Sequence, residues 1–225
     1  MNALQRISNW AGYRLIDYGS WLHALDIPKD IDLRRTLYDI TPDSFVVDLG
    51  GYNGDWASLM FCRYACNIDI YEPHPALYNH ALRPKFRHNP KVKLFNHGLA
   101  GKTDRMTLYG DGYVASLYPM QNTVSYQIAD FRKASDVFEE RYSDKTVDVL
   151  KLNVEGAEYE ILPDLIQNFD MSNIRNIQIQ FHQIVDDYDR KRAAIQHDLA
   201  TLGFAQTWNY EWAFENWENS KFGGI

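Results

Sequence analysis

The sequence has little of what marks several large classes of protein. Two of its 225 residues are cysteine, Cys62 and Cys66, and no further cysteine is present to complete a zinc-binding set. We therefore expect two reduced thiols that pack within the fold. Lys and Arg number 23 against 30 Asp and Glu, for a formal net charge of -7, and no basic cluster stands out. Because nucleic-acid binding needs clustered Lys and Arg to neutralise phosphates, we expect no nucleic-acid partner.

Long apolar runs and linker-like stretches are also missing. No run approaches the roughly 20 residues that span a bilayer, and the first residues lack the charged and apolar regions of a secretion signal. We expect no transmembrane segment and a cytoplasmic location. No change in composition divides the chain, which favours one substantial domain over residues 43–225. Residues 1–42 are predicted to form a helical extension packed on it, because apolar residues recur at steps of three and four between Leu4 and Leu25, and a short helix is expected from Arg34 to Ile40.

The stretch from Phe45 to Trp56 carries the strongest positive signal. It reads Phe-Val-Val-Asp-Leu-Gly-Gly-Tyr-Asn-Gly-Asp-Trp, an apolar β-branched run followed by glycines and then by a helical pattern. Such glycines permit a sharp turn and let a ligand approach the backbone, while the start of the helix offers free N–H groups. We therefore predict a strand, a turn and a helix that hold a nucleotide-type ligand, with contacts from Asp48, Gly50, Gly51, Tyr52, Asn53 and Gly54.

Two further strands are predicted to complete the adenosine side of that site. Asn67 to Tyr71 alternates as a strand and ends at Glu72 and Pro73. An acidic residue at this place in a βαβ unit is positioned to accept hydrogen bonds from both ribose hydroxyls of an adenosine. Val92 to Phe95 is predicted as the third strand, and the turn that follows it, with His97 and Gly98, is expected beside the adenine.

One stretch resembles a different nucleotide motif. Gly98 to Thr103 reads like the end of a phosphate-binding P-loop, but the first glycine of that motif would fall at position 96, which is Asn. The residues that follow, Asp104 to Gly110, alternate like a strand instead of forming the helix that the motif requires. We therefore exclude an NTPase.

The remaining chain alternates strands with helices. Val147 to Glu158 is predicted to begin with a buried strand whose alternate residues Lys151, Asn153 and Glu155 share one side. We expect a helical link at 131–141, helices at 158–169 and 187–202, a strand at 174–181, and final strands at 204–210 and 211–217. This alternation predicts an α/β fold with a parallel sheet, in which ligands bind beyond the carboxyl ends of the strands. The polar residues at such ends are Asp48, Glu72, His97, Asn153, Glu155 and His182.

These motifs together resemble a known family. Asp48-Leu49-Gly50-Gly51-Tyr52-Asn53-Gly54, Glu72-Pro73-His74-Pro75 and Lys151-Leu152-Asn153-Val154-Glu155-Gly156-Ala157-Glu158 are similar to the three motifs of FkbM-type S-adenosylmethionine-dependent methyltransferases. The resemblance implies a Rossmann-like sheet of seven strands with an antiparallel last strand. It also implies methylation of an oxygen on a sugar, a glycan or another small biosynthetic intermediate. Two positions depart from the family pattern, Tyr52 in place of Asn and Asn153 in place of Asp.

The resemblance implies that S-adenosylmethionine supplies the methyl group, so the protein has to align the acceptor oxygen with it. A base helps if it reaches the acceptor hydroxyl, and the catalytic candidates are His182, Glu155 and Lys151. As alternatives, Lys151 and Glu155 form a structural ion pair and His182 caps a strand. Asn153, Glu155 and His182 are a poor ligand set for Mg²⁺, so we expect no metal.

Four questions stay open on the sequence alone. A nicotinamide-dependent oxidoreductase shares the turn and the ribose carboxylate, although Gly50, Gly51 and Gly54 lack the Gly-x-Gly-x-x-Gly spacing and no second nucleotide half follows residue 150. A non-catalytic module that binds the cofactor is the other alternative, because of Tyr52 and Asn153. A homo-oligomer is compatible with the sequence. The aromatic residues Trp208, Tyr210, Trp212 and Trp217 either stack against a sugar ring or belong to the core.

Overall fold

The computed structural model describes residues 31–110, 115–118 and 126–223. The chain divides into two units, Met1–Tyr38 and Asp39–Ile225. In the first unit the described residues contain helix α1, Ile31–Arg34. The predicted helix from Arg34 to Ile40 is wrong, because the chain turns at Thr36, whose N–H and Oγ1 both donate to Leu33 O at 3.1 Å. The helix expected between Leu4 and Leu25 lies outside the described residues, and its packing on the domain stays a prediction.

The second unit alternates strands and helices. Its strands are β1 Phe45–Leu49, β2 Asn67–Tyr71, β3 Val92–Phe95, β4 Gly98–Ala100, β5 Asp104–Tyr109, β6 Tyr126–Lys133, β7 Val147–Leu152, β8 Ile174–Ile179, β9 Phe204–Tyr210 and β10 Phe214–Asn219. Its helices are α2 Asp55–Tyr64, α3 Pro75–Leu77, α4 Arg83–Phe86, α5 Ala134–Tyr142, α6 Glu158–Asn168 and α7 Tyr188–Thr201. A π-helical turn, Tyr78–Leu82, joins α3 to α4, and a 3₁₀ turn, Met171–Asn173, precedes β8.

Seven of the strands form one sheet in the order β3-β2-β1-β7-β8-β10-β9. Strand β10 runs antiparallel to both of its neighbours, and the other adjacent pairs are parallel. This arrangement confirms the predicted α/β sheet with an antiparallel last strand. The register places Asp48 of β1 beside Ile70 of β2 and Lys151 of β7, so the carboxyl ends of three central strands meet at one edge.

A second, three-stranded sheet has the order β4-β6-β5. It confirms the strand predicted from Asp104, but it corrects the helical link predicted from Phe131. Residues 131–133 end β6, where they pair with Gly98–Ala100, and the helix starts at Ala134. Phe131 is buried and lies between Gly98 of β4 and Asp104 of β5, so strand pairing on both sides holds this end of the segment.

The central strands are apolar on both faces, as expected for a parallel sheet that helices cover on both sides. Val46, Val47, Leu150 and Leu152 are fully buried. Both cysteines are free thiols: Cys62 is exposed on α2, and Cys66 is buried, which raises its pKa to about 11. Within the described ranges, none of the helices is both long and apolar enough to cross a membrane.

Two strands end earlier than the apolar pattern predicts. Strand β7 stops at Leu152, and the turn beyond it includes Glu155 and Gly156, which have positive φ of 49° and 103°. Strand β8 stops at Ile179, and the backbone N–H of His182 donates to a side chain of α6 instead of to a strand. The ends of β7 and β8 are therefore turns that carry polar side chains.

Candidate active site

The glycine loop between β1 and α2 is held against two neighbouring strands. Gly50 N and Gly51 N both donate to the carbonyl oxygen of Tyr71 at the end of β2, at 3.0 and 3.1 Å. Gly50 has a φ of 80°, and a Cβ at this position would overlap the carbonyl oxygen of Asn153. Gly54, with a φ of 79°, leads directly into α2. The glycines are therefore required by the close approach of the loop to β2 and β7.

Glu72 closes the same loop from the end of β2. Its Oε2 accepts from Tyr52 N and its Oε1 from His74 N, both at 2.8 Å, and Pro73 lies in the turn between. Glu72 is 5% exposed, and this burial raises its pKa to about 7 although the two N–H donors oppose the shift. Each carboxylate oxygen keeps a second lone pair, so the bonds to the loop leave capacity for ligand hydroxyls.

The start of α2 is capped within the loop itself. Asn53 Oδ1 accepts from Asp55 N at 3.1 Å, and its Nδ2 donates to Asp55 Oδ2 at 2.7 Å. Asp55 is also paired with Lys85 at 2.8 Å. Asn53 thus supports the N-terminus of the helix, and Tyr52 stands beside it with a φ of 49°.

Lys151 is paired with Asp48. Its Nζ lies 2.7 Å from Asp48 Oδ1 and donates to Gly50 O at 2.8 Å, and its side chain is 4% exposed. It also lies 5.8 Å from the centre of the Trp56 ring. The ammonium group therefore joins the ends of β1 and β7 and holds the first residue of the glycine loop.

His182, Glu155 and Glu158 form a separate charged cluster at the ends of β7 and β8. His182 Nδ1 lies 3.1 Å from Glu158 Oε1, and His182 Nε2 lies 3.4 Å from Glu155 Oε1. Glu158 is fully buried and also accepts from the backbone N–H groups of His182 and Gly156, at 2.8 and 2.9 Å. Tyr159 Oη donates to His182 O at 3.0 Å. The imidazole is thus clamped between two carboxylates, one buried and one partly exposed.

The charges of this cluster support one another. Burial alone would lower the pKa of His182, but the charges of Glu155 and Glu158 outweigh it and raise the pKa to about 10. Burial would raise the pKa of Glu155, yet the positive charge of His182 outweighs it and lowers that pKa. Near neutral pH the imidazole is consequently a cation whose Nδ1 is hydrogen-bonded to Glu158 and whose Nε2 lies within ion-pair distance of Glu155, and Glu155 is ionised.

Three predicted site residues carry a buried polar atom with no hydrogen-bond partner in the part of the chain that the structure describes. These atoms are His97 Nε2, Asn153 Oδ1 and His182 Nε2. His97 follows β3 and its ring contacts those of Tyr71 and Phe95 edge-on, at 5.4 and 5.8 Å. Buried polar groups are normally satisfied, so such atoms are expected where a ligand binds.

The predicted residues fall into connected groups at one edge of the sheet. The glycine loop contacts Glu72, Lys151 and the backbone of Asn153, and Gly98 is buried against Phe131. Sequence reasoning missed Ser116 and Tyr118, which contact the turn at Glu155, since their segment reads as unremarkable strands and turns. Trp217 is buried and Trp212 packs edge-on against Tyr188 at 5.2 Å, so both support packing.

The fold and the arrangement of the site define a class I, Rossmann-like methyltransferase, and the comparisons with known proteins agree. The family model described as the methyltransferase FkbM domain matches residues 48–198. A curated relative, Methyltransferase 1 from Beauveria bassiana (strain ARSEF 2860), is 31% identical over 208 residues, which cover 80% of each chain. This chain belongs to the FkbM methyltransferase family and is an enzyme that transfers methyl groups. The oxidoreductase and the non-catalytic module are thereby set aside.

A solved structure of this family shares the fold. The crystal structure of methyltransferase FkbM from Methylobacillus flagellatus KT aligns with a TM-score of 0.53 at 14% identity, over 81% of this chain and 45% of that one. The present chain thus spans less than half the length of that structure. An rRNA methylase from Streptococcus thermophilus aligns with a TM-score of 0.46 at 10% identity, over 88% of this chain and 94% of that one.

Proposed function

We propose that this protein transfers a methyl group from S-adenosylmethionine to a hydroxyl oxygen of a sugar, a glycan or another small biosynthetic intermediate. The observation that carries the proposal is the set of buried polar atoms without a partner in the described residues, on His97, Asn153 and His182. They belong to residues that follow three strands of the sheet, where α/β folds bind their ligands. The net charge of -7 and the lack of a basic cluster favour a small acceptor over a nucleic acid.

The residues present fit the proposed cofactor. Glu72 would accept hydrogen bonds from the ribose hydroxyls, and His97 would lie beside the adenine. Asn153 and the loop from Gly50 to Gly54 would contact the methionine end, where Tyr52 and Asn153 replace residues usual in the family. When bound, S-adenosylmethionine supplies an electrophilic methyl group on its sulfonium.

The residues at the ends of β7 and β8 would act on the acceptor. Glu155 is ionised and partly exposed, so it is the group best placed to accept the proton of an acceptor hydroxyl. His182 carries a positive charge near neutral pH, which makes it a hydrogen-bond donor that orients Glu155 or the acceptor, and not the base. Lys151 is engaged by Asp48 and Gly50, which favours a positioning role for it. Within the described residues, no group of three His, Cys, Asp or Glu side chains has an arrangement suited to a metal ion.

The cofactor assignment is tested by calorimetric titration of the purified protein. S-adenosylmethionine and S-adenosylhomocysteine should each bind saturably, and NADH, run under the same conditions, should not. The acceptor is then sought by following the release of S-adenosylhomocysteine with hydroxylated sugars and with short RNA in parallel. Binding of NADH alone would overturn the cofactor proposal, and turnover with RNA but with no sugar or small hydroxylated compound would overturn the acceptor class.

A further inference from the structure

The short segment Ala115–Tyr118 contacts the turn that carries Glu155. Ser116 is fully buried, and its Oγ donates to the carbonyl oxygen of Glu155 at 2.6 Å. Ser116 Oγ in turn accepts from Tyr118 N at 3.0 Å, so this hydroxyl is both a donor and an acceptor. Ser116 is also bonded to the end of β5. Its N–H donates to Tyr109 O at 2.9 Å, and its carbonyl oxygen accepts from Tyr109 N at 2.8 Å. The second sheet is therefore linked directly to the turn after β7.

Tyr118 contacts the same turn through its ring and its hydroxyl. A Cβ on Gly156 would lie 2.8 Å from Tyr118 Cδ2, so the ring occupies the space that any larger residue would need. Tyr118 Oη donates to Glu160 Oε1 at 2.9 Å, in the first turn of α6. The ring and the Ser116 hydroxyl thus hold successive residues of the turn, Gly156 and Glu155.

This support matters because the turn adopts an unfavourable backbone conformation. Glu155 has a φ of 49°, in the left-handed region that residues with a Cβ rarely adopt. Such a conformation persists only where the surroundings enforce it. The bond from Ser116 fixes the orientation of the peptide after Glu155, and the ion pair with His182 fixes its side chain.

We infer that Ser116 and Tyr118 are positioning residues that hold the Glu155 carboxylate against His182. Within the described residues, neither Ser116 nor Tyr118 forms a hydrogen bond or an ion pair with His182. Both residues therefore act through the turn at Glu155. The consequence for turnover rests on the proposed function, since it requires that Glu155 and His182 serve the acceptor. The positioning of Glu155 does not depend on the proposed function, and it is measurable in the protein without ligand.

The test is an NMR titration of the His182 imidazole, whose signal is identified by its loss in H182Q. The charged groups that face this ring are Glu155 and Glu158, and both raise its pKa. E155Q should lower that pKa by on the order of one unit or more, because it removes an opposite charge within ~4 Å. S116A should lower it in the same direction by a smaller amount, and Y118F, which keeps the ring, should do so less again.

The controls separate positioning from a general loss of stability. S135A removes another buried serine hydroxyl, which bonds Asp164 Oδ1 at 3.0 Å, and should leave the His182 titration unchanged. S116T keeps a hydroxyl and should restore the wild-type value. If S116A does not fold, the inference is tested by comparing the His182 pKa of Y118F with that of the wild type. A wild-type titration in both S116A and Y118F, or in E155Q, overturns the inference. Because S-adenosylmethionine binding is measured separately, failure of the proposed function is distinguished from failure of the positioning.

Discussion

Lys151 Nζ lies 2.7 Å from Asp48 Oδ1, and the two residues stand side by side in the parallel ladder of β1 and β7. Both side chains are almost fully buried, so neither charge has water to replace its partner. The pair therefore joins the glycine loop to the strand that leads to Glu155. Removing both charges from water costs much free energy, and their mutual attraction offsets this cost only while both charges are present.

We predict that K151M destabilises the fold by about 3 to 5 kcal/mol, since it leaves the Asp48 carboxylate buried without this cation. Chemical denaturation measures the change. K102M is the matched control, because it breaks a pair of the same type with Asp104, which has an N–O distance of 2.8 Å but is exposed, and it should change stability little. Equal losses in the two variants would contradict the importance of burial. D48N combined with K151M should recover part of the loss.

Cofactor binding should depend on the ionisation of Glu72. Its pKa is raised to about 7, and ribose hydroxyls donate to the ionised form, so protonation at lower pH opposes binding. The affinity for S-adenosylhomocysteine should weaken by about tenfold between pH 8 and pH 6. Titration calorimetry in E72Q reports the pH dependence that remains without this carboxyl group, and the difference between the two proteins gives the contribution of Glu72. A pH profile that is identical in both would remove Glu72 from the ribose site.

Gly50 and Gly203 provide a matched pair for the glycine loop. Both have positive φ, 80° and 88°, but a Cβ on Gly50 overlaps the carbonyl of Asn153, whereas Gly203 has Ser220 Oγ nearby at 3.3 Å. G203A should cost about 1 to 2 kcal/mol of unfolding free energy from the conformation alone. G50A should cost more and should also abolish cofactor binding, because the loop has to move away from β7. Calorimetry that finds normal binding in G50A would show that the contact is dispensable.

The charge of His182 should make the stability fall at alkaline pH. The folded pKa is raised from 6.5 to about 10, so the stabilisation is complete below pH 6.5 and is lost as the pH rises through 10. Urea denaturation between pH 7 and pH 10 should show this decline in the wild type. H182Q should lose that part of the slope, and an H197Q control at an exposed position should keep it. A slope that survives in H182Q would assign the decline to other groups.

Substitution of Glu155 should affect turnover without affecting cofactor binding. With an acceptor in hand, E155Q should lower kcat by about 100-fold or more, because it removes the proposed proton acceptor, while its affinity for S-adenosylmethionine stays near the wild-type value. H182Q should lower kcat in the same direction. D104N changes an exposed carboxylate of β5 and serves as the control. Wild-type turnover in both E155Q and H182Q would exclude them from catalysis.

The sequence predicted the order of strands and helices well, because the apolar runs of β1, β7 and β8 are buried on both faces and end at glycine or at polar residues. The alternation of residues along the predicted strand indicated that the side chains of Lys151, Asn153 and Glu155 share one side of it. Lys151 lies inside β7 and pairs with Asp48, its neighbour in β1, whereas the left-handed turn at Glu155 breaks the alternation and places Glu155 against His182. Contacts of this kind depend on segments far apart in the chain, such as Ser116, and no local pattern records them.

The position of β1 in the sheet has a consequence for synthesis of the chain. Its neighbour β2 follows within 25 residues or so, but its other neighbour, β7, emerges only when translation has passed residue 152. Until then one side of β1 presents unpaired backbone groups in an apolar strand, an edge that readily pairs with other chains. A ribosome-bound fragment that ends before β7 is therefore expected to need a chaperone. A fragment that includes β7 can pair this strand with β1 and so cover the exposed edge.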